Sequence, residues 1–347
     1  MSSISVGIIG FGRIGAEHAN WLSLSQSIRA TAIADATDAR RKLAEAKGIR
    51  AYPEIPQLLS DPTIDAVLIS TPTSMHFDHV QLALNANKHV LVEKPMALDL
   101  DQSRQLTDLA QRKNKILSVF HNRRWDLDYL TVAQHIKNNT FGKIINIESR
   151  LHQWCSCVGP AAREYRPGWR NEAAFGGGGL YDWGSHFIDQ LWRLMWPAKP
   201  TRVFAQLRGN VWTKDCDDFA RILIDFDTGS VGLCEINTTT TKPLPRWHID
   251  GEKGSADSPF SLTFDTKEWA QLHFTPADNS PPKLLESAQP GLSESDIWNQ
   301  FAAAIRGQSP PAVPIKSVLG TMALLDAARK SSHRGAAIDV SGIDWEP

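Results

Sequence analysis

The sequence predicts an α/β domain with a parallel sheet and helices on both faces, then an α+β domain with an open, mostly antiparallel sheet. Over roughly the first 120 residues, short apolar runs alternate with amphipathic stretches, the pattern of strands joined by crossover helices. After about residue 122, strand-like runs follow one another with few helices between them, which favours antiparallel pairing. We place the two domains at residues 1–122 and 123–347.

The elements of the first domain follow from their local patterns. The strand candidates are continuous apolar runs, typical of a sheet covered on both faces, and Pro72 closes one of them. Strands are expected at 6–10, 30–35, 66–70, 89–92 and 116–120, and helices at 13–24, 38–47, 75–86 and 99–113.

The second domain consists mainly of strands. The run Asp227-Thr228-Gly229 indicates a hairpin turn between two of them, and the Pro- and Ser-rich stretch 275–293 predicts an exposed loop. Strands are expected at 143–151, 201–208, 219–226, 230–239 and 246–250, and helices at 180–195 and 316–331.

The composition excludes several classes of function. The chain has 37 Lys and Arg against 38 Asp and Glu, so it lacks the basic surplus of proteins that bind nucleic acid or anionic membranes. No apolar run approaches the ~20 residues of a membrane span, and the first residues lack a signal-peptide pattern. Four cysteines in 347 residues do not make a disulfide framework. We expect a cytoplasmic protein without nucleic-acid or membrane partners.

A glycine-rich run separates the first strand from the first helix. Residues 10–15 fit G-x-G-x-x-G, which in this position is typical of a dinucleotide-binding Rossmann domain. Gly10 permits a tight turn, Gly12 allows close approach of a pyrophosphate, and Gly15 lets helix and strand pack. The N–H groups of the helix N-terminus favour phosphate binding. An ordinary glycine-rich turn is the alternative.

Asp35 ends the second strand, 20 residues after Gly15. A carboxylate there can accept hydrogen bonds from the adenine ribose and repels a 2′-phosphate, which favours NAD over NADP. Arg40 and Arg41 follow closely and could hold a 2′-phosphate, so NADP remains the alternative cofactor. Asp35 could instead cap the next helix.

The sequence contains four further motifs besides the glycine loop: TPTSMH at 71–76, EKP at 93–95, HNRRWD at 121–126 and GGGGLYDWGSH at 176–186. In order and spacing the set resembles the Gfo/Idh/MocA oxidoreductase family. The run at 121–126 is most similar to the scyllo-inositol dehydrogenase branch of that family.

The resemblance implies a nicotinamide cofactor in the cleft between an NAD(P)-binding Rossmann domain and the second domain. It also implies a homodimer or homotetramer formed through the face of the C-terminal sheet. The expected cofactor contacts are Gly10, Phe11, Gly12, Arg13, Ile14, Asp35, Arg40, Thr71, Pro72, His76, Glu93, Lys94 and Asn122.

Lys94 follows a predicted strand at the sheet edge where ligands bind in open α/β sheets. An ammonium there would stabilise negative charge developing on a reacting oxygen, and Glu93 could orient it. The resemblance implies that Lys94 lies near the nicotinamide and the substrate hydroxyl, and that the Lys94–Pro95 peptide bond is often cis. A surface salt bridge is the alternative role for Lys94.

Asp182 and His186 are four residues apart and would share one face of a helix. The apolar residues of that helix fall elsewhere, so we expect His186 to lie off the core. The resemblance assigns His186 as the acid/base and Asp182 as its substrate-binding partner, and a histidine pKa of ~6.5 suits proton transfer in both directions. In the alternative interpretation both are ordinary exposed helix residues. The preceding four glycines would let the chain approach a ligand closely.

We expect no metal. Asp182, His186 and Asp189 are ligand types without a second group at a recognised spacing, and nicotinamide chemistry does not require an ion. His152, Cys155 and Cys157 lack the second ligand pair of a zinc module, so we interpret them as a chance cluster.

The predicted function is hydride transfer between nicotinamide and a secondary alcohol of a cyclic polyol or sugar, as in inositol dehydrogenases. Substrate specificity is expected in residues 152–172. The alternatives are a redox-neutral NAD-dependent glycosidase and a dinucleotide-binding regulator without catalysis. Besides Asp182 and His186, the candidate substrate contacts are Arg123 or Arg124, Trp169, Arg170 and Tyr181.

Overall fold

The computed structural model describes residues 3–157, 168–260 and 264–346. Its N-terminal elements are β1 (Ile4–Ile9), α1 (Arg13–Ser23), β2 (Ile28–Ala34), α2 (Asp38–Glu45), β3 (Arg50–Tyr52), α3 (Ile55–Ser60), β4 (Ala66–Ile69), α4 (His76–Asn85), β5 (His89–Val92), α5 (Leu100–Arg112) and β6 (Leu117–Val119). The six strands form one sheet in the order β3-β2-β1-β4-β5-β6, and all neighbours are parallel. The predicted parallel sheet is confirmed; β3 and α3 were not expected.

Both faces of this sheet are covered, which explains why its strands are apolar throughout. Within β4, Val67 lies in one core with Val80 of α4, and Leu68 lies in the opposite core with Leu22 of α1. Alternate side chains therefore enter different cores, and a polar residue on either face would be buried.

The second of these cores is completed by α9 (Glu294–Ile305), a helix from far along the chain that the sequence did not predict. Its Trp298 and Phe301 are buried in the same core as Ile8. Ser293 and Asp296 form a reciprocal capping box at its start, which satisfies N–H groups of the first turn.

The other elements build the second sheet. They are α6 (Leu127–Lys137), β7 (Ile144–His152), α7 (Ser185–Met195), β8 (Pro200–Arg208), β9 (Phe219–Phe226), β10 (Val231–Asn237), β11 (Trp247–Gly251), β12 (Gly254–Asp257), α8 (Thr266–Trp269), β13 (His273–Pro276), β14 (Lys283–Leu284), α10 (Lys316–Arg334) and β15 (Ile338–Asp339). The strand order is β14-β13-β12-β11-β7-β10-β9-β8-β15. Every pair is antiparallel except β7 with β10, so the predicted mostly antiparallel sheet is confirmed.

Helices α7 and α10 cover one face of the second sheet, and the other face is more open. In β9, Ile222 and Ile224 are fully buried, whereas Leu223 between them is 41% exposed. The stretch 275–293 is not wholly the expected loop, because it contains β14 at the sheet edge and the buried Leu285. None of the helices in the described ranges is both long and apolar enough to cross a membrane.

Candidate active site

A cavity of about 460 Å³ lies at the carboxyl ends of β4 and β5, where open α/β sheets bind ligands. The predicted site residues that line it are Arg13, Ile14, Thr71, His76, Glu93, Lys94, Asn122, Arg123, Trp169, Arg170, Tyr181, Asp182 and His186. The cavity lining does not include Gly10, Phe11, Gly12, Asp35, Arg40, Pro72 or Arg124 among the described residues.

The glycine loop fits a dinucleotide. Gly10 has a φ of +89°, and a Cβ on Gly15 would lie 2.2 Å from the Gly10 carbonyl oxygen, so both positions favour glycine. At Gly12, by contrast, no atom in the described part of the chain lies within 4 Å of the Cβ position. The N-terminus of α1 therefore faces open space next to Gly12, as a bound pyrophosphate requires.

Asp35, directly after β2, accepts a hydrogen bond from the backbone of the glycine loop. Its Oδ2 accepts the Phe11 N–H at 2.7 Å, and its Oδ1 accepts the Thr37 N–H at 2.8 Å. Thr37 occupies the N-cap position of α2, so Asp35 is not the cap. The Phe11 side chain is buried in the core and its N–H is bonded to Asp35, so the expected cofactor contact of Phe11 is left to its backbone carbonyl and stays a prediction. Each Asp35 oxygen keeps a second lone pair for another donor.

His76 links the ends of β4 and β5. Its Nε2 lies 2.9 Å from the Thr71 carbonyl oxygen and its Nδ1 lies 2.8 Å from that of Pro95. Burial lowers the pKa of His76, and the two carbonyl oxygens oppose this effect because each can only accept a hydrogen bond from the ring. His76 therefore shapes the cavity by holding two backbone segments together.

Glu93 pairs with His18 rather than with the Lys94 ammonium, so its expected orienting role is corrected. Its Oε1 lies 2.8 Å from His18 Nε2, and Trp298 Nε1 donates to His18 Nδ1 at 3.0 Å. Because an indole N–H can only donate, the His18 proton is on Nε2 and points at Glu93. Although burial opposes ionisation, the hydrogen bond from His18 lowers the pKa of Glu93.

Lys94 instead contacts Asp182. Its Nζ donates to the Asp182 carbonyl oxygen at 2.7 Å and to Oδ1 at 3.2 Å, and the Lys94–Pro95 peptide bond is cis. Asp182 lies in a π-helical turn, residues 180–184, directly before α7. Although burial opposes ionisation, the Lys94 and Arg170 cations lower the pKa of Asp182, so it is a carboxylate.

His186 lies in the first turn of α7 and is only 4% exposed, which corrects the expectation that it lies off the core. Its Nδ1 is buried without a hydrogen-bond partner in the described residues, so Nε2 is the nitrogen available to the cavity. Burial, together with the Lys94 and Arg123 cations, holds the pKa of His186 well below its usual range. The ring is therefore a neutral proton acceptor at pH 7.

Arg124 is a structural residue, which corrects its candidacy as a substrate contact. Its Nε and Nη2 donate to the two carboxylate oxygens of Asp189 at 2.8 and 2.7 Å, and its Nη1 donates to Ser317 Oγ at 2.8 Å. Asp189 is thereby bound to Arg124 and not to Asp182 or His186. Within the described residues, no group of three or more His, Cys, Asp or Glu side chains could hold a metal ion.

The four glycines at 176–179 pack closely against other residues of the chain. A Cβ on Gly178 would lie 2.3 Å from Asp217 Oδ1, and one on Gly177 would lie 2.5 Å from the Arg170 carbonyl oxygen. The Gly178 N–H also donates to that carbonyl at 2.8 Å. The glycine run thus positions Arg170 in the cavity wall. Residues 158–167 of the expected specificity segment lie outside the described residues.

Several cavity residues were not predicted. Ser70 follows β4 directly, and this position at a strand end could have identified it. Glu294 comes from the start of α9, and no local signal connects it with the cavity. Other unpredicted lining residues are Glu17, Trp21, Thr73, Phe120, Gln153, Ser156 and Trp183.

Comparison with known proteins identifies the family. One family model, an oxidoreductase family with NAD-binding Rossmann fold, matches residues 4–121, and the GFO/IDH/MocA C-terminal domain matches residues 129–257. The chain is 33% identical to the uncharacterized oxidoreductase YdgJ of Escherichia coli over 61% of this chain and 60% of that protein. It is 28% identical to the scyllo-inositol 2-dehydrogenase (NADP(+)) IolW of Bacillus subtilis, over 65% of this chain and 61% of that protein.

The chain therefore spans about three fifths of the length of these two curated relatives. A solved structure of an NAD-binding protein from Listeria innocua matches over 97% of both chains, with 27% identity and a TM-score of 0.85. Because the two matching models come from one family and together cover most of the chain, this protein belongs to the Gfo/Idh/MocA oxidoreductase family and has an NAD-binding Rossmann domain.

Proposed function

We propose that this protein is an NAD(P)-dependent dehydrogenase acting on a secondary alcohol of a cyclic polyol or sugar. The observation that carries the proposal is that Lys94, Asp182 and His186 line one cavity, which also reaches the start of α1. The likeness to IolW, named as a scyllo-inositol 2-dehydrogenase, supports a ring of the inositol type.

The chain offers a binding position for each part of the cofactor. Gly12 and the N-terminus of α1 would hold the pyrophosphate, and Asp35 the adenine ribose. The bound nicotinamide supplies the acceptor or donor of hydride. The Asp35 carboxylate favours NAD because it repels a 2′-phosphate. NADP is the alternative, since IolW is named as an NADP(+) enzyme.

His186 and Lys94 have complementary roles in alcohol oxidation. Neutral His186 takes the hydroxyl proton on Nε2 while hydride leaves the carbon that bears the hydroxyl. The Lys94 ammonium gives two N–H donors to Asp182 and keeps a third, which can donate to the reacting oxygen and stabilise its negative charge. Asp182 therefore orients Lys94 and can accept a hydrogen bond from the ring.

The proposal is tested by steady-state formation of NADH or NADPH with inositols, aldoses and sugar acids. Lys94→Met and His186→Gln are each expected to lower kcat by about 10²–10⁴ because each removes a group that acts on the reacting oxygen. Lys42→Met is the control, since the Lys42 side chain is 73% exposed and pairs with Asp38 on the same helix. Tryptophan quenching by dinucleotide should be retained in all three variants, which would show that each variant still binds the cofactor.

Near-normal turnover in Lys94→Met and His186→Gln would contradict the catalytic assignment. Release of a leaving group without net NADH would instead identify the redox-neutral glycosidase. Dinucleotide binding without turnover of any compound would favour the regulator.

We also propose self-association through the open face of the C-terminal sheet. Phe204, Leu223 and Leu233 are paired across β8, β9 and β10 and form an apolar row on that face. An apolar row on an otherwise polar surface favours a protein interface. Sedimentation velocity at several protein concentrations measures the association.

A further inference from the structure

We propose that the ring substrate carries a carboxylate, bound by the guanidinium groups of Arg123 and Arg170. The substrate is then a sugar acid or a cyclic polyol acid rather than a neutral inositol or sugar. This inference rests on the proposed dehydrogenase function and names the substrate class of the same cavity.

Arg170 presents unused donors to the cavity. Its guanidinium lies 4.4 Å from the Trp169 ring centroid, and its Nε makes a long contact of 3.4 Å with Asp182 Oδ1. Its Nη1 and Nη2 donate to no acceptor in residues 3–157, 168–260 and 264–346. The glycine run fixes the Arg170 backbone in the cavity wall, and the Trp169 ring and Asp182 contact its guanidinium.

Arg123 packs against two aromatic rings. Its guanidinium lies 3.9 Å from the Phe264 centroid and 4.9 Å from the Trp183 centroid. Packing against aromatic rings leaves N–H donors of a guanidinium available to an acceptor. Nη1 reaches Asp126 at 3.3 Å, and Nη2 has no acceptor in the described part of the chain. A planar carboxylate can bind such donors in pairs.

The carboxylate partners of these cations leave donors over. Lys94 and Arg170 share the single carboxylate of Asp182. Arg123 pairs with Asp126 through Nη1 at 3.3 Å. A neutral ring offers the remaining donors only hydroxyl acceptors, whereas a carboxylate offers charge-assisted hydrogen bonds, which are roughly twice as strong.

The other carboxylates of the cavity have partners elsewhere. Glu17 pairs with Arg13 at 3.0 Å, and Glu93 binds His18 at 2.8 Å. Glu294 accepts from Asn122 at 3.3 Å. A substrate carboxylate can therefore accept the unused donors of both arginines.

The test compares acids with their neutral counterparts: D-glucuronate with D-glucose, D-galacturonate with D-galactose, and quinate with scyllo-inositol. Binding is measured by the shift in thermal midpoint of the protein with NAD bound, and kcat/KM by NADH formation. We expect at least one acid to bind and to exceed its neutral counterpart by about tenfold or more in kcat/KM, the scale of one good charged contact.

Arg123→Gln and Arg170→Gln should each raise KM for that acid about 10–100-fold, the scale of losing one charge-assisted contact. The ratio of kcat/KM for the acid to kcat/KM for its neutral counterpart should fall by about tenfold or more, because only the acid loses a charged contact. Arg202→Gln is the matched control, since Arg202 lies on β8 in an exposed pair with Asp225. Unchanged thermal midpoints without ligand separate a binding effect from loss of folding.

Preference for the neutral member of every pair, or an acid preference that survives both substitutions, would overturn the inference while leaving the dehydrogenase intact. Stronger binding of D-glucose 6-phosphate than of any acid would overturn the carboxylate assignment. If acids shift the midpoint but no compound yields NADH, the carboxylate site stands and the proposed dehydrogenase fails.

Discussion

The two sheets of this molecule contribute to one cavity in different ways. The parallel sheet offers its carboxyl edge: the start of α1 beside the glycine loop, and the segments after β4 and β5 that carry His76 and Lys94. The mixed sheet offers side chains, which project from the π-helical turn, from α7 and from the glycine-anchored segment at 169–171. The first half thus places its residues through local chain conformation, and the second through contacts between distant parts of the chain.

The difference follows from how each sheet is covered. Helices cover both faces of the parallel sheet, so its strand interiors are apolar and only its carboxyl edge is available for polar contacts. The mixed sheet uses one face to support α7, whose His186 and Asp189 are buried by contacts with other parts of the chain. Substitutions in the second half should therefore disturb long-range polar contacts, and those in the first should disturb backbone geometry.

The largest effect is expected at the buried pair of Arg124 and Asp189. Arg124→Met removes all hydrogen bonds of the guanidinium and leaves the Asp189 carboxylate buried at 1% exposure. The free energy of unfolding should fall by about 3–5 kcal/mol. Urea denaturation measures it, with Arg202→Met, an exposed pair, expected to change stability by less than about 1 kcal/mol. Equal effects at both positions would show that the second half does not depend on this buried pair.

A pH-dependent effect is expected at His121, which lies where the two halves meet. Its ring is 6.0 Å from that of His186 by centroid, and both of its nitrogens are buried without partners in the described residues. Burial, with the nearby Arg124 and Lys94 cations, lowers the pKa of His121 to about 4 from 6.5. The folded protein therefore keeps this ring neutral at a pH where the unfolded chain binds a proton.

The His121 contribution to stability is fully present above pH 6.5 and is lost as the pH falls towards 4, by about 3 kcal/mol in total. His121→Leu removes a group that must stay neutral, so its unfolding free energy should fall less steeply across this window. Urea denaturation from pH 7 to 4 measures the slope, with the exposed His333→Leu as control. Identical slopes in wild type and His121→Leu would contradict the prediction.

The smallest effect on stability is expected in the glycine loop. There, a substitution at one position should affect folding, and a substitution at another should affect only dinucleotide binding. Gly15→Ala places a Cβ 2.2 Å from a backbone oxygen and should lower the free energy of unfolding by about 1–3 kcal/mol. In Gly12→Ala the new Cβ lies in open space, so the free energy of unfolding should change by less than about 0.5 kcal/mol. Its Kd for dinucleotide should nevertheless rise, because the methyl group occupies the phosphate-binding space. Unchanged dinucleotide binding in Gly12→Ala would show that the pyrophosphate does not bind next to Gly12.

Local patterns predicted more of the first half than of the second. The strands of the parallel sheet are recognisable because each is an apolar run between turn residues, and the glycine loop because its conformation needs glycine at fixed positions. Helix α9 was missed although it completes a core of the first half, because its pattern does not show which surface it covers. The helical spacing of Asp182 and His186 identified them as neighbours but placed them wrongly with respect to burial.

By itself the sequence determined the two kinds of sheet, the dinucleotide loop and the helical spacing of Asp182 and His186, because those features depend on residues close together in the chain. Lys94 reaches Asp182 only through the fold, since the two lie 88 positions apart. The tertiary structure decided the partners. Glu93 binds His18 rather than the Lys94 ammonium, and Arg124 binds Asp189 rather than the cavity. These pairs join residues 75 and 65 positions apart. A charged side chain buried on folding takes whichever opposite charge the packing brings within reach, and local sequence does not specify that choice.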